Sequence, residues 1–598
     1  MTTEEDENGA DFERLTENLA KVEELSTRLV SALSNKKQFD QGLQGPGQEL
    51  YAKAAAAYAT EMMSNPAKII EHQVSYWGKS LKHFVEAQQK FAEGKLEVPE
   101  DSTQQDRRFS NPLWQTHPYF NYIKQQYLFT AEAMKQAVDN IEGLEPREQS
   151  RVKYFSRQVM DLLSPTNFLH TNPDALERAV ATDGESLVRG LENLVRDIEA
   201  NDGDLLVSLA DNEAFKVGEN LATTEGEVVF RNRMLELIQY VPKTDKVRTT
   251  PLIIFPPWIN KFYILDLREK NSLIRWIVEQ GYTLFVVSWV NPDPSYAEVG
   301  MDDYVEDGYL AAINEVKAIT GEDQVNVAGY CIAGTTLALT LALMKKRGDA
   351  SVKSATFFTT LTDFADQGEV GVFLDDDFVD GIEREVSEKG ILSSFFMSRT
   401  FSFLRSNDLI YAPAIRSYMM GEAPPAFDLL YWNGDSTNLP AKMAVEYLRG
   451  LCQSNEFAED GFEICGEKLT LKDVSVPVCG IACETDHIAA WRSSFVGVGK
   501  MGARSKKFIL SESGHIAGII NPPTKNKYGH YLNDALNQPP EDWKQSAEFR
   551  SGSWWPEWES WLKRRSGAQI DGRAIGRQGV KSLGSAPGSY VNKIPESS

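Results

Sequence analysis

The sequence predicts an α/β fold with a mainly parallel sheet, preceded by an all-helical N-terminal domain. Three observations predict it. After Gly203, short apolar runs alternate with helical stretches, the pattern of βαβ units whose strands are covered on both faces. Before that point, from Glu49 to about Asn201, apolar residues recur at three- and four-residue spacing with few β-branched runs, as in "PYFNYIKQQYLFTAEAMKQAVDNI", and this is helical spacing. The length of 598 residues exceeds what one ordinary core serves, so two domains, or one large domain with a substantial extension, are expected.

Taken in order, residues 1–48 read as a flexible acidic segment with one amphipathic helix, ended by the Gly and Pro of "QGLQGPGQ". Residues 49–201 form the helical domain. The α/β domain spans 202–566, with strands expected at "EVVFRN", "MLELIQYVP", "PLIIFPP", "YTLFVVSWVNP", "QVNVAGY" and "VKSATFFTT". Between about Glu369 and Asp473 the alternation lapses into Phe-rich text, "GILSSFFMSRTFSFLRSNDLIYAPAIRSYMM", before a strand returns at "VPVCGIA". An insertion of that size late in an α/β sheet is expected to form a cap or lid. The tail, 567–598, is rich in Gly, Ser, Ala and Arg with little apolar content, and is expected to be loosely ordered.

The formal charge of −24 and pI of about 4.9 argue against nucleic acid as a partner. Any anionic substrate needs local basic help. Cys331, Cys452, Cys465, Cys479 and Cys483 include no CxxC pair, so neither a disulfide framework nor a structural zinc site is indicated, no metal is expected, and a reducing cytoplasm is the natural setting. The N-terminus lacks an apolar core and no unbroken apolar run reaches about 18 residues, so neither a signal peptide nor a transmembrane segment is expected.

The chemistry centres on "AGYCIAGTTLALTLALM". A short apolar strand, a sharp Gly-flanked turn and an Ala/Leu helix put Cys331 at a nucleophile elbow. A thiol becomes a nucleophile when another group takes its proton. Two later segments supply partners: "VPVCGIACETDHIAAW" ends a strand with Asp486 and His487, and "KKFILSESGHIAGIINPP" ends the next with His515. Nucleophile, acid, histidine, each on a loop after a strand, is the α/β-hydrolase order. His515 is expected to take the thiol proton and Asp486 to orient the imidazole, with the Ile332 N–H facing the oxyanion. A second donor is expected from "FPPWINKFY", around Trp258 and Ile259. The competing reading of Cys331 is a packed small side chain, and of Asp486 a helix N-cap. His487 is either a second functional imidazole or a residue that positions the loop. The aromatic run "WWPEWESWL" is expected to pack a terminal helix against the sheet, and the other four cysteines to be structural.

From about Asn111 to Trp561 the chain resembles the polyhydroxyalkanoate synthases, specifically class I, which act as one kind of subunit on short-chain monomers. The strings that carry the resemblance are "NPLWQTHPYFNYIKQQYL", "PPWINKFYILDL", "GYCIAGT", "FDLLYWNGDSTNLP", "ETDHIAAW" and "SGHIAGIINPPTKNKYGHY". It implies polymerisation of (R)-3-hydroxyacyl-CoA, chiefly 3-hydroxybutyryl-CoA, through an acyl thioester on Cys331, with His515 as base and Asp486 supporting the histidine or activating the incoming hydroxyl. Asp266 and Trp432 match family motifs, with packing as the alternative role. Ala333 stands where family members carry Gly. The resemblance further implies cytoplasmic granules of the polymer, association with the granule surface or phasin-like proteins through the helical domain, and a homodimer. No cofactor is expected, since coenzyme A is part of the substrate. "KKRGD" at Lys345 and "RSKK" at Arg504 are candidate contacts for the CoA phosphates, with solvated surface clusters as an equal alternative, and "GILSSFFMSRTFSFL" is expected to close over Cys331. The competing functions are a cysteine-dependent acyl-CoA thioesterase on the same fold and a non-catalytic granule-binding protein.

Overall fold

A computed structural model describes residues 4–34, 54–57, 106–577 and 582–593. It divides into two compact units, one of residues 1–211 with 401–425 and one of 212–400 with 426–598.

The first unit is helical, as expected. The N-terminal segment, read as a flexible lead with one helix, forms a single helix, Glu4–Ser34. Residues 58–105 of the helical text lie outside the described residues. Beyond it, Pro opens the helices Pro118–Asp139, Pro146–Leu162 and Pro173–Ala181, where its missing N–H costs nothing. Part of the expected lid belongs to this unit: the Tyr154 hydroxyl donates to Phe403 O at 2.8 Å, and the Tyr418 hydroxyl to Asp197 at 2.7 Å. Gly190 permits the approach, because a Cβ there would meet Tyr418 O at 2.0 Å. The insertion at 369–473 is thus divided between the two units, a partition that local sequence does not encode because long-range packing sets it.

The second unit is built on a ten-stranded sheet. Its strands are β1 (Gly226–Arg231), β2 (Leu235–Tyr240), β3 (Leu252–Phe255), β4 (Leu284–Trp289), β5 (Val325–Tyr330), β6 (Val352–Phe358), β7 (Val478–Cys483), β8 (Lys506–Ser511), β9 (His530–Leu532) and β10 (Glu548–Arg550). They lie in the order β1-β2-β4-β3-β5-β6-β7-β8-β9-β10. The six strands from β4 to β8 run parallel, and two antiparallel strands flank them on each side. The residues of β3, β4, β5 and β7 are buried throughout, which is why these strands read as continuous apolar runs rather than alternations. The tryptophans of the helix Trp555–Lys563 and its flank are buried in the same core, as expected from the sequence.

The described residues of the tail, 567–577 and 582–593, are held more firmly than the sequence suggests. Gln569–Asp571 pairs antiparallel with Lys246–Arg248, and residues 583–586 run along the outer edge of β1 through Leu583 N–H to Val228 O (2.9 Å), Val228 N–H to Gly584 O (2.8 Å) and Ala586 N–H to Gly226 O (2.8 Å). The fully buried Glu236 carboxylate accepts the N–H groups of Ser589 (2.8 Å) and Tyr590 (2.9 Å) and the Ser589 hydroxyl (2.7 Å). The main chain and one buried carboxylate hold the tail. A single apolar side chain, Val591, also reaches the core, with Ala586 packed against it.

Candidate active site

Cys331 occupies the single residue between β5 and the helix Ile332–Lys346, with φ 55° and ψ −128°. An L residue in this positive-φ region costs roughly 1–3 kcal/mol. The surroundings enforce it: the Cys331 N–H donates to Phe358 O at 2.8 Å, and its carbonyl accepts the Gly334 N–H at 2.9 Å. The glycines on either side allow strand and helix to touch. A Cβ on Gly329 would lie 2.6 Å from Gly334 Cα, and one on Gly334 would lie 2.0 Å from Thr360 Oγ1. Ala333 is fully buried, with its carbonyl accepting the Tyr309 hydroxyl at 2.7 Å.

Asp486 follows β7 and His515 follows β8, so both stand with Cys331 at the carboxyl ends of parallel strands, where α/β sheets present their ligand sites. The two loops are tied together by N–H groups of Glu484 and Thr485 donating to Ser511 O (2.8 Å) and Ser513 O (3.0 Å). One Asp486 oxygen accepts the N–H groups of Ile488 (2.8 Å) and Ala489 (2.9 Å); the other meets His515 Nδ1 at 2.7 Å. The N-cap-like role and the histidine-supporting role therefore coexist in one side chain. The Asp486 side chain is wholly buried and that of His515 is 7% exposed.

Burial alone would lower the pKa of the imidazole. The Asp486 carboxylate and the charge of Cys331, together with hydrogen bonding to both side chains, outweigh it and push His515 up to about 10. The arrangement favours a proton on the imidazole. Tyr330, immediately before the nucleophile, stacks on the His515 ring (centroids 5.8 Å apart, planes at 27°) and donates its hydroxyl to His515 O at 3.1 Å. Trp554 and Trp555 donate their indole N–H groups to Gly518 O (2.7 Å) and Ile519 O (2.9 Å). The terminal helix region therefore fixes the histidine loop as well as filling the core.

The Ile332 N–H is the first of the elbow helix, one of the donors a helix leaves without an intrahelical acceptor. The loop after β3 is riveted to the segment 432–437. Trp258 O accepts the Thr437 hydroxyl (2.7 Å), Ile259 O the Thr437 N–H (3.1 Å) and Lys261 O the Trp432 indole N–H (2.7 Å). Trp432 is thus a fastener of that loop. Asp266 is buried and accepts Thr224 N–H (3.1 Å), Thr224 Oγ1 (2.6 Å) and Ser272 Oγ (2.5 Å), so it too works as a structural knot. His487 is half-buried in the turn that carries Asp486.

Sequence reading missed Tyr447. It lies in a π-helical stretch, Tyr447–Gln453, within the insertion, and its ring packs edge-on against Trp258 at 5.6 Å. Burial raises its phenol far above the ordinary value, and the charges of Cys452 and Cys331 add to that. No local pattern in "EYLRG" marks it, because a π-turn has no simple sequence period.

The parallel sheet, the elbow and the order of the three residues define an α/β-hydrolase, and residues 251–522 match the family described as alpha/beta hydrolase fold. Residues 105–277 match the family described as Poly-beta-hydroxybutyrate polymerase (PhaC) N-terminus. Among curated proteins the chain is 40% identical over 535 residues to the poly(3-hydroxyalkanoate) polymerase subunit PhaC of Cupriavidus necator, covering 88% of each. It is 38% identical over 596 residues to the poly(3-hydroxyalkanoate) polymerase of Methylorubrum extorquens, covering 97% of this chain and 98% of that one. It is also 38% identical to the PhaC subunit of Rhizobium meliloti, covering 88% and 86%. The chain belongs to the poly(3-hydroxyalkanoate) polymerase family. Among the described residues, no helix is long and apolar enough to cross a membrane.

Proposed function

We propose that the protein is a class I poly(3-hydroxyalkanoate) synthase that polymerises (R)-3-hydroxyacyl-CoA, chiefly 3-hydroxybutyryl-CoA, with release of coenzyme A. The observation that carries the reading is the Asp486–His515 pair, 2.7 Å apart, beside a cysteine held on a strained elbow, in a chain of the polymerase family.

In the first half-reaction the Cys331 thiolate attacks the thioester carbonyl while His515 holds the former thiol proton. The Ile332 N–H, with the loop at Trp258 and Ile259, faces the developing oxyanion. The C–S bond to coenzyme A then breaks, and His515 delivers its proton to the departing thiolate, giving free coenzyme A and acyl-Cys331. One thioester replaces another, so the bound acyl group stays reactive. In the second half-reaction the 3-hydroxyl of another acyl-CoA attacks that carbonyl, His515 accepts the hydroxyl proton, and the Cys331 thiolate leaves. The elongated acyl-CoA then reacylates Cys331. Asp486 orients the imidazole throughout, and Tyr330 positions the histidine loop through its hydroxyl and ring. The steps call for no metal or cofactor beyond the coenzyme A the substrate brings. The ring of Tyr447, packed edge-on at 5.6 Å against the buried Trp258, serves to keep water from the thioester. The wider reading is a cytoplasmic enzyme, working as a homodimer at the polymer granule surface with phasin-like partners.

The test incubates purified protein with (R)-3-hydroxybutyryl-CoA and measures released coenzyme A, insoluble polymer and free acid, beside Cys331→Ala. Coenzyme A with matching polymer, both absent in the variant, is the expected result. Coenzyme A with free 3-hydroxybutyrate replaces the synthase by a thioesterase, and an inert parent chain leaves a non-catalytic granule protein.

A further inference from the structure

Thr437 makes two hydrogen bonds whose directions bear on the reactive end of the sheet. Its hydroxyl donates to Trp258 O at 2.7 Å and its N–H to Ile259 O at 3.1 Å. Two successive carbonyls of the loop after β3 therefore converge on one residue. In a trans peptide the C=O and the N–H point in opposite directions, so the N–H of Ile259 and the N–H of Asn260 are both turned away from Thr437. Two successive N–H groups aimed the same way form a nest, a concavity that receives anions.

Among the described residues, no atom accepts the N–H of Ile259 or of Asn260. Ile259 is nevertheless buried, where a peptide N–H without a partner costs free energy comparable to a lost hydrogen bond. The loop rises beside the nucleophile. Phe255, the last residue of β3, pairs with Gly329, two positions before Cys331. The Trp258 indole N–H donates to Thr336 Oγ1, in the elbow helix, at 3.3 Å. On the carbonyl side the insertion holds the loop at three further points: Asn260 Nδ2 donates to Ser436 Oγ (3.2 Å), Lys261 pairs with Asp435 (2.6 Å), and the Tyr263 hydroxyl donates to the other Asp435 oxygen (2.7 Å). Those three fix side chains. Among the described residues, Thr437 alone holds the carbonyls of Trp258 and Ile259, and with them the direction of the two N–H groups. Acyl transfer gains most from donors fixed in direction before charge develops on the carbonyl oxygen.

We propose that Thr437 is a positioning residue that aims the N–H of Ile259, with that of Asn260 beside it, at the oxyanion formed when Cys331 attacks the thioester, a reading that rests on the function proposed above. The test uses the full chain and three variants. Thr437→Val keeps the N–H and the shape of the side chain but loses the hydroxyl, Thr437→Ser keeps the hydroxyl, and Tyr263→Phe removes one hydrogen bond of the same clamp without touching the peptide between Trp258 and Ile259. With (R)-3-hydroxybutyryl-CoA, Thr437→Val is expected to lower the burst rate of coenzyme A release roughly 10- to 100-fold and to leave KM within about twofold. Thr437→Ser and Tyr263→Phe are expected to stay within about threefold of the parent. The second readout is inhibition by S-trifluoroacetonyl-CoA, whose ketone takes up the Cys331 thiolate: the sulfur lone pair forms the C–S bond, the carbonyl π pair moves to oxygen, and nothing leaves. Its affinity is expected to fall with the burst rate in Thr437→Val, whereas that of S-acetonyl-CoA, which forms no such oxyanion, is expected to hold within about twofold. A parental rate in Thr437→Val, an equal loss in Tyr263→Phe, or an equal loss of affinity for both ketones overturns the proposal. Free acid in place of polymer, with the Thr437→Val loss intact, removes only the proposed function, whereas polymer made by Thr437→Val at the parental rate removes only this inference.

Discussion

The two ends of the parallel strands carry similar residue types to different effect. At the amino ends, Lys346 and Arg347 close ordinary surface ion pairs with Asp473 and Glu306. At the carboxyl ends, Cys331 is forced to positive φ, and Asp486 and His515 share a buried contact. The difference teaches that a charge or a thiol takes its meaning from the end of the strand that presents it, because helix N-termini and loops converge only at the carboxyl end.

The sharpest break of that contrast is Cys331→Ala, expected to remove coenzyme A release altogether, whereas Cys479→Ala, whose thiol is buried within β7, leaves turnover on the same order. Next comes Asp486→Asn, which keeps the turn but loses the carboxylate on His515. By analogy with other acid–base–nucleophile triads, turnover is expected to fall on the order of 10³-fold, read as the burst and steady-state rates of coenzyme A release.

The same variant sharpens the comparison through pH. The folded His515 lies above the ordinary imidazole value, at about 10. Its protonated form therefore stabilises the fold fully below about pH 6.5, and that contribution is lost as pH rises through about 10. The Tm gap between the parent chain and Asp486→Asn is expected to be wider at pH 6 than at pH 10.5 in thermal melts, and an equal gap at both values refutes the coupling. Smaller is Trp554→Phe, which keeps a buried ring but leaves Gly518 O with one donor fewer. It is expected to cost about 1 kcal/mol of stability in denaturant titration and a few-fold in kcat as the histidine loop loosens. Smallest is Lys345→Gln/Arg504→Gln at the amino ends, expected to leave KM for the CoA thioester within about twofold. A larger rise would dissolve the contrast between the two ends.

Much of this was legible in the chain. The apolar runs gave the central strands because buried parallel strands need no alternation. Cys331, Asp486 and His515 were visible because each follows a strand within a few residues. Tyr447 was not visible, since its place near Cys331 depends on a π-turn and on how the insertion folds back. The tail was misread for a definite reason: Glu236, 353 residues away from Ser589, supplies an attachment that no local composition reveals. Trp432 and Asp266 sat in recognisable strings, yet they fasten the loop after β3 instead of meeting the reacting atoms. The basic clusters at Lys345 and Arg504 stand at the amino ends of the strands, since a run of charge on a helix does not say which end of the sheet it faces.

The tail along β1 also bears on how the protein avoids joining its neighbours. An open strand edge is a template that any extended segment can copy, and crowding multiplies the chances. Here residues 583–586 already occupy one border of the sheet, while the opposite border, β10, is three exposed residues bearing Glu548 and Arg550, short and charged in the manner that discourages strand addition. Both margins are closed to a foreign strand. The sheet cannot be lengthened at β1 without first peeling away residues 583–586, a segment that the Glu236 carboxylate helps to hold through Ser589 and Tyr590.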